Sequence, residues 1–352
     1  MSLDVLHDLP QSPGVWASAW KRLRNDRVGM ISLAVTLVFI AMVVLAQVGL
    51  LAKDWQKEIG TAFAPPHFVG KIVDGSQTAV VGGAQGPAVD ISDVDPLAPR
   101  YKEWAERAAQ FKSAAVEKSE TLPLGGDQLG RDVLSKVIKG AQVSITVGLI
   151  SALFATIIGT VLGAIGGYFG GKVGDFLEWV YNVFTSIPYI LLMFSVAAVL
   201  KSGPLAKVFT SGVWTVIIIL SVVGWTGIYR LVRAEYIKHR TREYVRAAEA
   251  IGASHASRMF THILPNISHV VLVQLSLHVV SFIKAEVILS FLGLGVPLDM
   301  VSWGTMLTEA QAELVQGKWW QLLAATTFMA TFVTAFALLT DALRDALDPK
   351  LR

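Results

Sequence analysis

Four groupings of residues in this sequence have types and spacing that could do chemistry. The first, Gly166, Gly171 and Lys172, nearly spells a phosphate-binding loop, in which glycine N–H groups and a lysine wrap a phosphate chain. The position that needs Ser or Thr for the metal is Val173, and an apolar run rather than a strand precedes the loop, so this chain is not expected to hydrolyse ATP. Asp127, Arg131 and Asp132 bring two carboxylates to a guanidinium, a set suited to acid–base work, but no nucleophile or metal ligand accompanies them. With Gly125, Gly126 and Gly130 they read instead as a tightly turned loop with ion pairs across it. His255, His262 and His269 recur every seven residues like a metal stripe, yet Pro265 breaks the register and no carboxylate supports them, so no metal is expected. The sequence contains no cysteine, which excludes thiolate sites and disulfides. Finally, Lys284 and Glu286 lie in an apolar run about 30 Å of helix beyond Pro265. Charge there is costly, and the pair reads either as snorkelling to an interface or as lining a pathway or gate.

The elements that must position these residues are membrane helices. Of 352 residues 53% are hydrophobic and 16% charged, a balance a soluble domain would find hard to keep in solution. Six uncharged intervals, 28–52, 140–171, 179–200, 208–229, 259–283 and 319–340, run from 22 to 32 residues. About 20 residues of helix cross the hydrocarbon core, which predicts an all-α polytopic protein with six spans. The first interval is too long for a removable signal peptide. Lys21, Arg22, Arg24, Arg27, Arg230, Arg233, Arg246 and Arg258 crowd the short segments on one side, whereas the opposite short segments hold only Lys201, Lys207 and Lys318. The positive-inside rule places both termini and the 240–266 loop in the cytoplasm.

Residues 1–27 form a cytoplasmic tail in which Trp16, Trp20 and Leu23 share a helix face among the basic residues, an interfacial helix or simple topology-setting charge. Residues 28–52 form the first span, 53–139 a polar extracytoplasmic segment, and 140–352 the transmembrane core. Within the polar segment, 68–81 reads as a hairpin about Asp74-Gly75 and 99–120 as a surface helix. Gly163, Gly166, Gly167, Gly170 and Gly171 end the second span with small residues that let helices approach closely. Ser186-Ile187-Pro188 predicts a kink in the third span and a possible gate.

Between the fourth and fifth spans lies the one polar, helix-prone insert of this half, residues 240–266. Glu243, Tyr244, Arg246, Ala247, Ala248 and Glu249 favour a helix, Gly252 interrupts it before Ala253 and Ser254, and the run resumes to Leu264 and Pro265. Two short helices hinged at Gly252 and carried on membrane spans make a shape that a soluble partner can grip.

Arg246-Ala247-Ala248, then Gly252, then Leu264-Pro265 resemble the EAA loop of the membrane subunits of ABC importers, and the ending at His262 to Asn266 is similar to the dipeptide/oligopeptide permease branch, C-type subunit. Arg246 stands where that motif has its glutamate, and His262 where it has isoleucine. The Leu124-Gly125-Gly126-Asp127 to Asp132 run, Leu289 to Gly295 and Ser302-Trp303-Gly304 look like the same family. The resemblance implies a type I ABC importer-like permease of the bacterial cytoplasmic membrane, forming half of a pathway for peptides or related solutes. Its partners would be a second, often non-identical, permease subunit, two ATP-binding subunits that hold ATP and Mg, an extracytoplasmic solute-binding protein and the lipid bilayer. It implies no cofactor in this chain and no nucleic acid. The alternative is a secondary transporter or channel not driven by ATP, which would be expected to place several ionisable groups mid-membrane.

Overall fold

The computed structural model describes residues 15–70, 118–202 and 212–347 apart from 298, with six further residues between 100 and 107. Residues 71–81 of the expected hairpin, Ala108 and Phe111 of the expected surface helix, Lys207 and the Trp16 side chain lie outside them. Helices are the only regular elements among the described residues: α1 Val15–Asn25, α2 Arg27–Gln47, α3 Val133–Phe169, α4 Gly171–Ser186, α5 Tyr189–Ser202, α6 Val213–Gly224, α7 Thr226–His239, α8 Glu243–Ala250, α9 Leu264–Phe291, α10 Trp303–Val315 and α11 Trp320–Leu347. A π-helical turn, Ser257–Ile263, runs directly into α9.

Two compact units emerge, one comprising Met1–Trp55 with Ser135–Arg352, the other Gln56–Leu134. Among the described residues of the smaller unit, extended segments pair only through isolated bridges and single bonds such as Gly60 N–H to Gly130 O at 2.9 Å. The Asp127 carboxylate accepts from Leu129 N, Arg131 N and Arg131 Nε, so this loop spends its charges on its own turns. A Cβ at Gly130, whose φ is +77°, would stand 2.1 Å from Gly60 O, which makes glycine obligatory there.

Among the described residues of the larger unit four helices are long and apolar enough to cross a membrane alone, and two bent pairs bring the number to as many as six if each pair is one span. The third and fourth intervals are therefore broken rather than straight. α4 and α5 meet at 98°, and Ile187 takes the extended backbone that a following proline demands. α6 and α7 meet at 41° about Trp225. Helices also outrun their uncharged cores, since α3 begins at Val133 and carries Lys136 and Lys139.

Lipid gives apolar surface no reason to leave it, so helices hold together by close packing and internal polar contacts. Along α3 a Cβ on Gly148 would come 2.3 Å from Ile283, on Gly159 2.5 Å from Trp225 O, on Gly163 2.8 Å from Tyr229 O and on Gly167 2.5 Å from Arg233 O. α3 thus lies backbone to backbone along α7. Lys136, buried near the start of α3, pairs with Glu309 of α10 and reaches Gln321 of α11 at 3.3 Å. Phe39 of α2 packs edge-on against Phe328 and tilted against Phe332 of α11. At the N-terminus Ala19 and Leu23 of α1 bury against Ala346 of α11.

Candidate functional site

The 240–266 segment starts where α7 ends at His239. Arg242 is extended, and α8 follows with Glu243 in its first turn, where a carboxylate favours the partial positive charge of the helix start. Val245 and Ala248 are buried, whereas Glu243, Tyr244, Arg246, Ala247 and Glu249 face outward. The inward face joins a buried cluster with Ala164 of α3, Ile228, Val232 and Tyr236 of α7, Met259 and Ile263 of the π turn, and Ile267 of α9. Burial raises the Tyr244 hydroxyl above its ordinary value, so it remains protonated, and it lies 2.8 Å from His239 Nδ1.

Helix α8 stops in a glycine cap. Gly252 has φ +85°, and Ala253 N–H reaches back to Ala248 O at 3.0 Å. This leaves Ile251 84% exposed at the tip of the segment. Ser254 Oγ then accepts from Ser257 N at 3.2 Å and starts the next helical stretch. That stretch is a π turn continuous with α9, where the sequence suggested a separate short helix. Pro265 supplies the reason: a proline ring clashes with the carbonyl four residues back, and a wider turn relieves it. Leu264 N bonds Met259 O, and the buried Tyr236 hydroxyl donates to the same oxygen at 2.9 Å. Leu264 packs against the buried cluster and Pro265 is exposed.

Polar contacts fasten the segment from below. Arg258, with a side chain only 9% exposed, pairs with Glu249 at 2.6 Å, lies 2.9 Å from His255 Nδ1 and sits over the Tyr168 ring at 5.8 Å. Tyr168 also meets His255 through its hydroxyl at 3.1 Å, and Arg240 caps the end of α3 at the carbonyls of Gly167 and Tyr168. Of the three histidines at seven-residue spacing, His255 thus spends its Nδ1 on this cluster.

Sequence reasoning missed four residues here: Tyr168, Arg240, Ile251 and Arg258. Only Ile251 carried a signal, a large apolar side chain beside a helix-ending glycine in a polar loop.

The remaining expected positions separate. Pro188 is exposed at the α4–α5 break. Lys284 is exposed, but Glu286 is wholly buried, so snorkelling does not apply to it. Its two oxygens accept from Ser144 Oγ and Ser290 Oγ, each at 2.7 Å, and those hydroxyls accept in turn from Trp303 N and Val296 N. The carboxylate therefore anchors the 292–302 loop to α3 and α9. Near that loop a cavity of about 550 Å³ is lined by Lys201, Thr215, Ser290, Val296, Thr308 and Glu309, among others.

Residues 159–352 match the family model described as the binding-protein-dependent transport system inner membrane component, and residues 14–66 match the N-terminal TM domain of oligopeptide transport permease C. A dipeptide transport system permease protein of Bacillus subtilis (strain 168) is 36% identical over 228 residues, 65% of this chain and 68% of that protein. An oligopeptide transport system permease protein of the same organism is 32% identical over 256 residues, 73% of this chain and 81% of that protein. Among solved structures, an inward-facing MetNI methionine ABC transporter aligns with a TM-score of 0.49 at 16% identity, over 61% of this chain and 97% of that chain.

Proposed function

The chain belongs to the family of binding-protein-dependent transport system inner membrane components and is a membrane-spanning subunit of an ABC importer; on that premise we propose that its cargo is peptides and that its drive enters through residues 240–266. The cargo class follows the dipeptide and oligopeptide systems of its relatives. Membership also displaces the ATP-independent alternative. In this reading two such subunits enclose the pathway, a solute-binding protein delivers from outside, and two partner ATPases hold ATP and Mg and perform the hydrolysis. Both termini and the loop lie in the cytoplasm, with the 53–139 segment outside.

One observation carries the reading. α8 presents Glu243, Tyr244, Arg246, Ala247 and Glu249 outward, ends in the protruding Ile251, and rests on a buried apolar base. A short exposed helix on a rigid footing transmits force instead of absorbing it. Closure of the ATPase pair would push this segment, and the attached helices would switch the pathway between inward- and outward-facing forms. Gly252, Ala253, Ser254, Leu264 and Pro265 shape the segment; Pro188, Lys284 and Glu286 remain the candidates for a gate.

Because the chain has no cysteine, single-cysteine variants report cleanly. Ala247→Cys and Ser254→Cys, both exposed, should crosslink to an ATPase subunit in the assembled transporter, whereas the buried Ala248 should not. Absence of crosslinks from both exposed sites would overturn the coupling role.

A further inference from the structure

Two helices, α7 and α9, carry the 240–266 segment by covalent continuity. A third helix reaches it only through side chains. α3 ends at Phe169, directly against the segment, and the contacts there form one connected cluster. Glu249 on α8 pairs with Arg258 on the π turn; Arg258 lies over the ring of Tyr168 on α3; Tyr168 and Arg258 both meet His255 Nδ1. Arginine can only donate, so His255 Nδ1 is the acceptor in this contact. Phe169 also packs against the imidazole, with ring centroids 5.6 Å apart. Arg240 holds the last α3 carbonyls from the α7 side.

We propose that this cluster is a clutch: Arg258 and Tyr168 are positioning residues that pass the motion of the coupling segment to α3, so that the α3 end moves with α7 and α9 as one body. The inference rests on the coupling role proposed above and adds the route by which force enters the membrane core. Stability alone does not account for the arrangement. Among the described residues Arg258 Nε has no acceptor although it is buried, and Glu249 is 63% exposed, where an ion pair contributes little. The route also suits what lies beyond it. α3 is 37 residues long and touches the backbone of α7 and its N-cap Trp225 at Gly159, Gly163 and Gly167, and it packs on the Ile283 side chain of α9 at Gly148. Backbone contacts of that kind leave little slack, so a displacement at Tyr168 reaches the far end of α3.

The test uses the complete transporter, with both permeases, both ATPases and the solute-binding protein, in proteoliposomes. The readouts are ATPase subunits retained, ATP hydrolysed and peptide moved per ATP. Arg258→Gln and Tyr168→Leu should retain the ATPases and basal hydrolysis but lower peptide moved per ATP about tenfold. Arg258→Lys, which keeps a cation over the ring, should lose less than threefold. The decisive variant is Tyr168→Cys with His255→Cys in the Arg258→Gln background, bridged by a short bis-thiol reagent. A covalent tie should restore the transport ratio, which a merely destabilised protein would not regain. A wild-type ratio in both Arg258→Gln and Tyr168→Leu overturns the clutch, as does failure of the bridge to restore it or loss of ATPase retention in Arg258→Gln. If the wild-type chain itself retains no ATPase, the coupling reading has failed first, and the two failures are told apart by that measurement.

Discussion

At Gly252 the constraint is a dihedral angle and not volume. Its φ is +85°, and nothing lies within 4 Å of where a Cβ would stand. A non-glycine residue there meets a left-handed penalty of about 1–2 kcal/mol, which Asn escapes in part by local hydrogen bonding. Gly252→Val should therefore loosen the cap and cut peptide transport per ATP severalfold, while Gly252→Asn should remain near wild type; uptake by both variants in proteoliposomes checks this. Ile251 makes the complementary case. With 84% of its surface exposed, Ile251→Ser should leave the melting temperature of the purified chain unchanged yet weaken ATPase binding about tenfold, equivalent to about 1.4 kcal/mol. Glu286 behaves in the opposite way: Glu286→Leu strands the Ser144 and Ser290 hydroxyls, at a cost of about 1–3 kcal/mol, visible as a lowered melting temperature in detergent. At this scale the helix end at Gly252 was legible in the sequence, because glycine acts through the local backbone. The sequence did not reveal Arg258 or Tyr168. They are 90 positions apart, and nothing in either neighbourhood says that the two meet.

Elements were legible where a single local property governs them. Absence of charge marked the segments that hold the four long apolar helices and the two bent pairs, and Pro188 marked the α4–α5 break. Their ends were not legible, because α3 continues past its apolar run where the buried Lys136 finds partners on distant helices. Lys136 meets Glu309 and Gln321 only after the chain has returned across the membrane. Removing one member of such a pair is expensive and removing both much less so. Lys136→Met should therefore destabilise the protein, by about 1–3 kcal/mol because the Glu309 carboxylate it leaves is partly exposed, and adding Glu309→Gln should recover part of that loss; thermal unfolding of the single and double variants measures it. The α6–α7 break at Trp225 has a tertiary cause too. Gly224 lets the Phe282 ring come within 2.1 Å of a Cβ position, so α9 packs where α6 ends.

For the whole molecule the expected sidedness can be tested directly. A membrane-impermeant maleimide should label Ser254→Cys in inside-out vesicles and not in intact cells, and should label Lys53→Cys in the reverse order. Labelling of Ser254→Cys from outside would invert the topology and end the coupling proposal. Large apolar side chains including Trp179, Tyr189, Leu191 and Trp214 are exposed on this single chain. Such a surface suits lipid and a companion subunit and would be untenable in water.

The π turn ahead of α9 has a consequence for how this chain could change in length. A wide turn of this kind carries one residue more than ordinary winding needs, so it acts as a spare link in the backbone. Deleting the exposed Phe260 should let the stretch rewind to regular pitch while the helices on either side keep their facing. The same deletion inside α9 would turn every later side chain by about 100° around its axis. Membrane yield of the two shortened proteins should differ accordingly, with the first close to that of the parent and the second far below it.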